Sequence, residues 1–305
     1  MNIRLLLPVL SLAILTAAVF WLQPRAMSYM GVNLLFNLAV PIALATVAQM
    51  IIIMVGDIDL SIGAFVSAAA CVTAAIMPQD PALGWAMLAG GVAIYALLGA
   101  LIEARQLPAI VVTLGMSFVW SGLAVLILPT PGGTAPEWLV AIMKSRPPGV
   151  PMAIVASVLI SVIAHLVVMR SALGVRLRAL GGNARAVVRS GRSPVAMRAM
   201  AYALAGVFAV AAGMALVGLT TAGDANIALR YTLLSIAGVI LGGGEFSGGR
   251  VSAVGAVVGA LTLTLAGSFL SFLRLSPDWQ IGAQGAILIL VLAARLVVRK
   301  KEVRA

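Results

Sequence analysis

Long apolar runs alternate with short polar stretches along almost the whole chain. Most runs have about the 20 residues that a helix needs to cross the hydrocarbon core of a bilayer. The pattern predicts an all-α, polytopic integral membrane protein with about ten transmembrane helices in a single domain, 1–305. The ten runs are 5–22, 32–55, 62–77, 83–101, 109–128, 152–169, 195–220, 231–241, 251–273 and 279–298.

A proline-rich stretch, 129–151, separates the fifth and sixth runs. Within it, residues 137–143 combine an acidic first residue with apolar positions and Trp138. Tryptophan favours the interface between lipid and water, so this stretch predicts a short interfacial helix.

Composition agrees with this pattern. Hydrophobic residues make up 62% of the chain and charged residues 10%, and the mean hydropathy is +1.14. The 20 basic and 9 acidic residues give a net charge of +11. On a soluble protein this excess would suggest nucleic acid, but in membrane proteins basic residues collect on cytoplasmic loops. We therefore predict contact with a lipid bilayer and no nucleic-acid partner.

The placement of basic residues predicts the orientation. With a cytoplasmic N-terminus, ten crossings put fifteen of the 20 basic residues on inner segments and five on outer segments. Basic residues favour the cytoplasmic side, so we predict that both termini and residues 170–198 are cytoplasmic.

Residues 170–198, which we call the arginine-rich segment, contain seven arginines and no acidic residue. Asn183 suits a helix N-cap, residues 184–190 suit two helical turns, and Gly191 suits a left-handed stop. A helix this short is marginal alone in water, so we expect it to form against a partner protein.

The predicted helix has two distinct faces. Ala184, Val187 and Val188 gather on one face, while Arg185 and Arg189 share another. An apolar face outside the bilayer again indicates a protein partner.

Two carboxylates follow the second apolar run, in Gly56-Asp57-Ile58-Asp59-Leu60-Ser61, which we call the polar loop. A carboxylate at mid-bilayer costs about 2.5 to 3.5 kcal/mol, so something must compensate it. One interpretation is a tight turn in which Asp59 caps the next helix through the amides of Ser61 and Ile62. The other places Asp57 and Asp59 on a polar pathway, where they accept hydrogen bonds from a hydroxyl-rich solute. Both interpretations are open.

A second polar stretch, residues 242–250, follows the short eighth run, and we call it the glycine-rich turn. Glycine permits close helix packing and sharp turns, which is the default interpretation. The alternative is a hinge that absorbs backbone rotation as a transport cavity changes its opening. The candidate residues for a turn or a pathway are Gly243, Ser247, Gly248, Gly249 and Arg250.

Catalytic and metal-binding motifs are missing from the sequence. It contains no Gly-Lys pair, so it has no Walker-type phosphate loop and we do not expect it to hydrolyse ATP. One histidine, His165, and one cysteine, Cys71, cannot form a structural zinc site. We predict no catalytic residue, no bound cofactor and no metal.

Four segments stand out together: 56–63, 107–116, 179–183 with Ser190-Gly191, and 242–250. With them, nearly the whole chain resembles the permease family of ribose-type ATP-binding-cassette sugar importers, within the branched-chain amino acid/ribose permease superfamily. Asp57 departs from the small residue usual in that family, and Arg185 departs from a commonly acidic stretch.

The resemblance implies the permease fold in a bacterial inner membrane, and a path for a sugar or a related small polar solute. It implies two permease copies or paralogues, two cytoplasmic ATPase subunits that bind ATP and Mg²⁺, and a periplasmic or extracellular sugar-binding protein. It also implies that the arginine-rich segment contains a coupling helix in a groove of the ATPase. The residues assigned to that coupling are Gly181, Gly182, Asn183, Ala184, Val187, Val188, Ser190 and Gly191.

Two other classes compete with this interpretation. An ion-coupled secondary transporter also has about ten spans and can use intramembrane carboxylates. A membrane scaffold would explain the helices but not the paired glycine-containing breaks.

Overall fold

A computed structural model describes residues 3–273, together with 279, 282, 285 and 286. Across these residues the chain is helical, which confirms the predicted fold class. The tenth predicted run, 279–298, lies largely outside them. The helices are α1 (Ile3–Leu22), α2 (Tyr29–Asn37), α3 (Ala39–Met54), α4 (Ile62–Cys71), α5 (Pro81–Arg105), α6 (Ala109–Ile127), α7 (Glu137–Met143), α8 (Met152–Ala164), α9 (Ala172–Gly182), α10 (Ala184–Arg189), α11 (Pro194–Thr220), α12 (Tyr231–Leu241) and α13 (Ala253–Phe272).

Six helical stretches among the described residues are long and apolar enough to cross a membrane. Three shorter apolar stretches, 8–22, 62–76 and 231–241, match the first, third and eighth predicted runs. The six long stretches are Tyr29–Met54, Pro81–Arg105, Ala109–Ile127, Met152–Arg170, Pro194–Thr220 and Ala253–Phe272.

Two of these stretches change helix type before they end. α4 continues as a π-helix over Val72–Ile76, and α8 continues as a π-helix over His165–Arg170. A π-turn keeps the backbone hydrogen-bonded while it changes the direction of the chain.

Local capping explains where several helices begin. Asp80 accepts a hydrogen bond from the amide of Leu83 at the start of α5. Ser193 accepts one from Ala196, and Pro194 is the first residue of α11, as this pair predicts.

α3 is the centre of the bundle. It packs against α11, α12, α13 and α8, and nearly all of its side chains are buried. α6 is the opposite case, because Val111, Phe118 and Leu126 are 65%, 73% and 79% exposed. In a membrane an exposed apolar face suits lipid, so α6 lies at the periphery of this chain.

The connections between helices meet in two groups. One group is joined by hydrogen bonds from Thr134 to Ala74 (2.9 Å), between Gly132 and Gly223 (3.0 and 2.8 Å), and from Tyr29 to Pro147 (2.8 Å). These residues lie in loops or at helix ends that have predicted outer positions. The second group contains the polar loop, the arginine-rich segment and the glycine-rich turn, which all have predicted inner positions.

Candidate functional site

Asp59 is the most enclosed charged group of the polar loop, with no exposed surface. Its Oδ1 accepts hydrogen bonds from the amide of Ser61 (2.6 Å) and from the Ser61 hydroxyl (2.7 Å). Its Oδ2 accepts a hydrogen bond from the hydroxyl of Tyr95 on α5 (2.7 Å). Three donors therefore replace the water that the carboxylate loses on burial.

The bond to Ser61 is one of the two that the tight-turn interpretation expects. α4 begins at Ile62 with Ser61 at its N-cap, and no side chain caps the helix at that position. Asp59 therefore closes a turn just before the helix, as Asp commonly does with an amide two residues on.

The backbone of the polar loop is held by neighbouring helices. The side-chain amide of Gln49 on α3, oriented to satisfy both groups, donates to the Asp59 carbonyl (3.1 Å) and accepts from its amide (3.2 Å). The hydroxyl of Thr113 on α6 accepts a hydrogen bond from the amide of Leu60 (3.0 Å). These contacts keep an irregular backbone satisfied inside the bundle.

Asp57 lies at the edge of the polar loop and is 9% exposed. Its Oδ2 accepts a hydrogen bond from the hydroxyl of Tyr202 (3.2 Å) and lies 3.3 Å from Nε of Arg198. Nη1 of Arg198 lies 2.7 Å from Oε2 of Glu103, at the end of α5. One arginine thus lies between two carboxylates.

Aromatic rings line the buried side of the loop. The Phe65 ring centre lies 4.4 Å from that of Tyr95 and 4.7 Å from that of Trp120. Tyr95 also lies 6.3 Å from Tyr202. The hydroxyls of Tyr95 and Tyr202 bond to the two aspartates, so these rings and the carboxylates belong to one buried cluster.

The arginine-rich segment contains two helices, where the sequence predicts one. α9 is the helix that the sequence analysis missed; Ser171 caps it by accepting from the amide of Gly174 (3.0 Å). Its buried Leu177 and Leu180, three residues apart, were the signal for it.

α10 agrees with its predicted bounds within one residue. Oδ1 of Asn183 accepts from the amide of Ala186 (3.1 Å), and Ser190 is the C-cap. Gly191 follows with a φ of 74°, the left-handed conformation that ends helices.

The apolar residues of α10 do not share one exposed face. Val187 is 5% exposed and packs within the chain, whereas Val188 is 56% exposed. Ala184 is also exposed. The exposed surface of α10 therefore contains Ala184 and Val188, and Val187 packs against the rest of the chain.

The glycine-rich turn lies directly against the end of α3. The amide of Gly249, at a φ of 71°, donates to the carbonyl of Met54 (2.8 Å). Gly181 at the end of α9 lies against the same carbonyl, with no space for a Cβ. Two of the four segments that carry the resemblance, 179–183 and 242–250, therefore meet at Met54, two residues before the segment 56–63. The fourth segment, 107–116, contacts 56–63 through Thr113.

The other candidates in this turn divide into two exposed residues, Ser247 and Arg250, and two buried glycines, Gly243 and Gly248. Arg250 is exposed and lies 3.7 Å from Glu245, and Ser247 lies 3.5 Å from the same carboxylate. Gly243 and Gly248 have φ values of 104° and 78°, which suit a turn.

These observations define the class of protein. It is a polytopic membrane protein in which the irregular polar loop and the arginine-rich segment, with its short exposed helix, meet at one end of the bundle. The chain belongs to the family described as branched-chain amino acid transport system / permease component, which matches residues 31–292. It is therefore the membrane permease component of an ATP-binding-cassette transporter, a subunit that is not itself an enzyme.

Curated relatives agree with this membership. The ribose import permease protein RbsC of Bacillus subtilis is 29% identical over 97% of this chain and 92% of its own length. The D-allose transport system permease protein AlsC of Escherichia coli is 27% identical, over 81% and 78%. The galactofuranose transporter permease protein YtfT of Escherichia coli is 31% identical, over 85% and 78%. No solved structure matches the chain significantly.

Proposed function

We propose that this permease forms the translocation path of an importer for a sugar, either a ribose-like pentose, a hexose or a related small polar solute. Its relatives are a ribose, a D-allose and a galactofuranose permease, each aligned over most of its length. Substrate identity stays at this class, because the three relatives carry different sugars at similar identity to this chain.

Import is driven by ATP and Mg²⁺ bound to cytoplasmic ATPase subunits. The observation that carries this part of the proposal is α10. It has six residues, a cap at each end and the exposed Val188 beside Ala184. An isolated helix of this length does not persist in water, and an exposed valine outside the bilayer gains from burial. Both facts favour a groove on a partner.

The remaining partners follow from the same assembly. A second permease copy or paralogue completes the path, and a periplasmic or extracellular sugar-binding protein delivers the solute to the outer face. Both termini of the permease lie in the cytoplasm, because that orientation puts fifteen of 20 basic residues inside.

Within this chain, the polar loop is our candidate for residues that line the translocation path. The hydroxyl and carboxylate groups of Asp57, Asp59 and Ser61 are of the type that binds sugar hydroxyls. The exposed part of the glycine-rich turn around Arg250 provides a second polar surface at the same end of the helix bundle as the polar loop.

Uptake into proteoliposomes tests this function. Permease, ATPase and binding protein are reconstituted together, and entry of labelled D-ribose, D-allose and D-galactofuranose is measured with and without ATP. We expect uptake of at least one sugar that requires ATP and the binding protein and that is insensitive to ionophores. Uptake that continues without ATP and stops with ionophores would identify an ion-coupled secondary transporter instead.

A further inference from the structure

Arg198 joins three parts of the permease that are distant in sequence. It lies in the second turn of α11, just after the arginine-rich segment's α10, and its guanidinium contacts Glu103 of α5 (2.7 Å) and Asp57 of the polar loop (3.3 Å). Its side chain is 18% exposed, so these charges lie in a mostly dry environment. Charge pairs in such surroundings are strong but depend on geometry.

The contact between α5 and α11 is tight. Gly99 of α5 faces α11, where an added Cβ would lie 2.7 Å from the Tyr202 ring and 2.8 Å from the Arg198 carbonyl. Such close backbone packing, together with the short bond between Arg198 and Glu103, favours movement of α5 and α11 as one unit.

The contact between Arg198 and the polar loop is looser. Nε lies 3.3 Å from the Asp57 carboxylate but is not aligned for a hydrogen bond. Tyr202, one helical turn beyond Arg198, donates to the same carboxylate oxygen at 3.2 Å. One face of α11 therefore holds Asp57 by two long contacts.

Both flanks of α10 touch the polar-loop region. On the N-terminal flank, Gly181 of α9 lies against the carbonyl of Met54, the last residue of α3 before the loop. On the C-terminal flank, Arg198 of α11 contacts Asp57. A displacement of α10 consequently reaches the loop at two points.

We propose that Arg198 is a positioning residue that transmits movement of α10 to the polar loop through Asp57. The proposal rests on the proposed function, in which α10 docks on the ATPase. Without Arg198, the carboxylates of Asp57 and Glu103 face each other unpaired. Their repulsion separates the loop from α5, so movement of α11 no longer controls the position of the loop.

The test follows the loop directly. A cysteine replaces Ile58 on a Cys71→Ala background, and the permease–ATPase complex is placed in lipid nanodiscs. The labelling rate with an impermeant maleimide is measured without nucleotide and after trapping with ATP, Mg²⁺ and vanadate. In the otherwise unaltered complex we expect trapping to change this rate by at least about fivefold, the scale of ordinary coupling between sites.

Arg198→Gln and Asp57→Asn should each abolish this response, and combining them should add nothing further. The matched control is Arg105→Gln, which alters an exposed arginine at the same end of α5. It should keep the full response. Arg198→Lys, which leaves a positive charge between the two carboxylates, should also respond and should melt close to the unaltered protein.

The outcomes separate the two proposals. If Arg198→Gln responds like Arg105→Gln, or if Arg198→Lys melts normally and does not respond, the role of Arg198 is refuted while docking stands. If trapping leaves the rate of the unaltered complex unchanged although the ATPase is bound, this inference fails while docking stands. If the ATPase does not bind the permease, the proposed function fails and this inference fails with it.

Discussion

The polar loop and α10 lie at the same end of the bundle, but they differ in whether their side chains find partners within this chain. In the polar loop, Asp59 is fully buried and each of its carboxylate oxygens accepts hydrogen bonds from this chain. In α10, the caps are complete but Val188 is 56% exposed. The polar groups of the first region are paired within the permease, whereas the second region leaves an apolar side chain exposed, and we propose that a partner covers it.

This difference separates two kinds of functional residue. Substitutions in a satisfied, buried network affect folding first and transport second. Substitutions on an exposed apolar face affect assembly and leave folding nearly unchanged. The following predictions test this division, beginning with the largest effect.

The first prediction has an all-or-none outcome and concerns orientation, because the proposed docking at α10 requires this end of the bundle to face the cytoplasm. On a Cys71→Ala background, cysteine replaces either Lys144 or Ala184, which are both exposed. From outside intact cells, an impermeant thiol reagent should label position 144 and not position 184. Permeabilised cells provide the control, since both positions should then react. The reverse pattern in intact cells would invert the topology and refute docking at α10.

The second prediction concerns the exposed face of α10. Val188→Glu should bury an unpaired charge in the ATPase groove and weaken association by roughly a hundredfold or more, about 3 kcal/mol. Co-purification of the ATPase and ATP-dependent uptake should both fall, while the melting temperature of the permease alone should stay within a few degrees.

The matched control is Val175→Glu on α9, where the valine is 51% exposed at the same end. We expect this variant to retain the ATPase. Equal retention by both variants would show that α10 is only a basic connector near the lipid surface. Val187 is unsuitable for this test, because its burial would mix folding with docking.

The third prediction concerns Asp59. Asp59→Ala leaves the Ser61 amide without its acceptor in a closed site and leaves the Tyr95 hydroxyl with only the Ser61 hydroxyl, 3.0 Å away. We therefore expect a loss of roughly 2 to 4 kcal/mol in the free energy of unfolding. Denaturant titration in detergent measures it. Asp59→Asn, which preserves the shape and one acceptor oxygen, should cost less than Asp59→Ala. If Asp59→Ala unfolds like the unaltered protein, the network contributes nothing to stability.

Helix boundaries with local signals could be predicted from the sequence. α7 and α12 begin and end at the predicted residues, and α10 differs by one. Pro136 precedes α7, and Asn183 and the left-handed Gly191 bound α10, so each of these signals involves only a few residues. α12 has no capping side chain, and its bounds follow from the apolar run alone. α9 could not be recognised as easily, because arginines on its exposed face hide the spacing of its buried leucines.

In the candidate site, too, contacts between neighbours in sequence could be predicted, whereas contacts between distant residues could not. The contact of Asp59 with Ser61 spans two residues, so the sequence predicts it. The partner of Asp57 on α11, Tyr202, is 145 residues away, and Gln49 and Thr113 also reach the loop only through helix packing. Isolated polar residues in apolar runs were the available signal, since a buried polar group requires a partner, but the signal does not identify that partner.

The smallest predicted effect is at Asp57. Asp57→Ala removes a longer pair of contacts than Asp59→Ala does, and Arg198 keeps its 2.7 Å contact with Glu103. The buried hydroxyl of Tyr202 loses the acceptor of one long hydrogen bond, so we expect a loss of about 1 to 2 kcal/mol in the free energy of unfolding. The same titration used for Asp59 measures it, with Asp80→Ala at an exposed helix cap as a reference for a change of that size. Equal losses at Asp57 and Asp59 would mean that the two carboxylates share one structural role. Asp57 would then belong with the buried, fully paired residues of the polar loop.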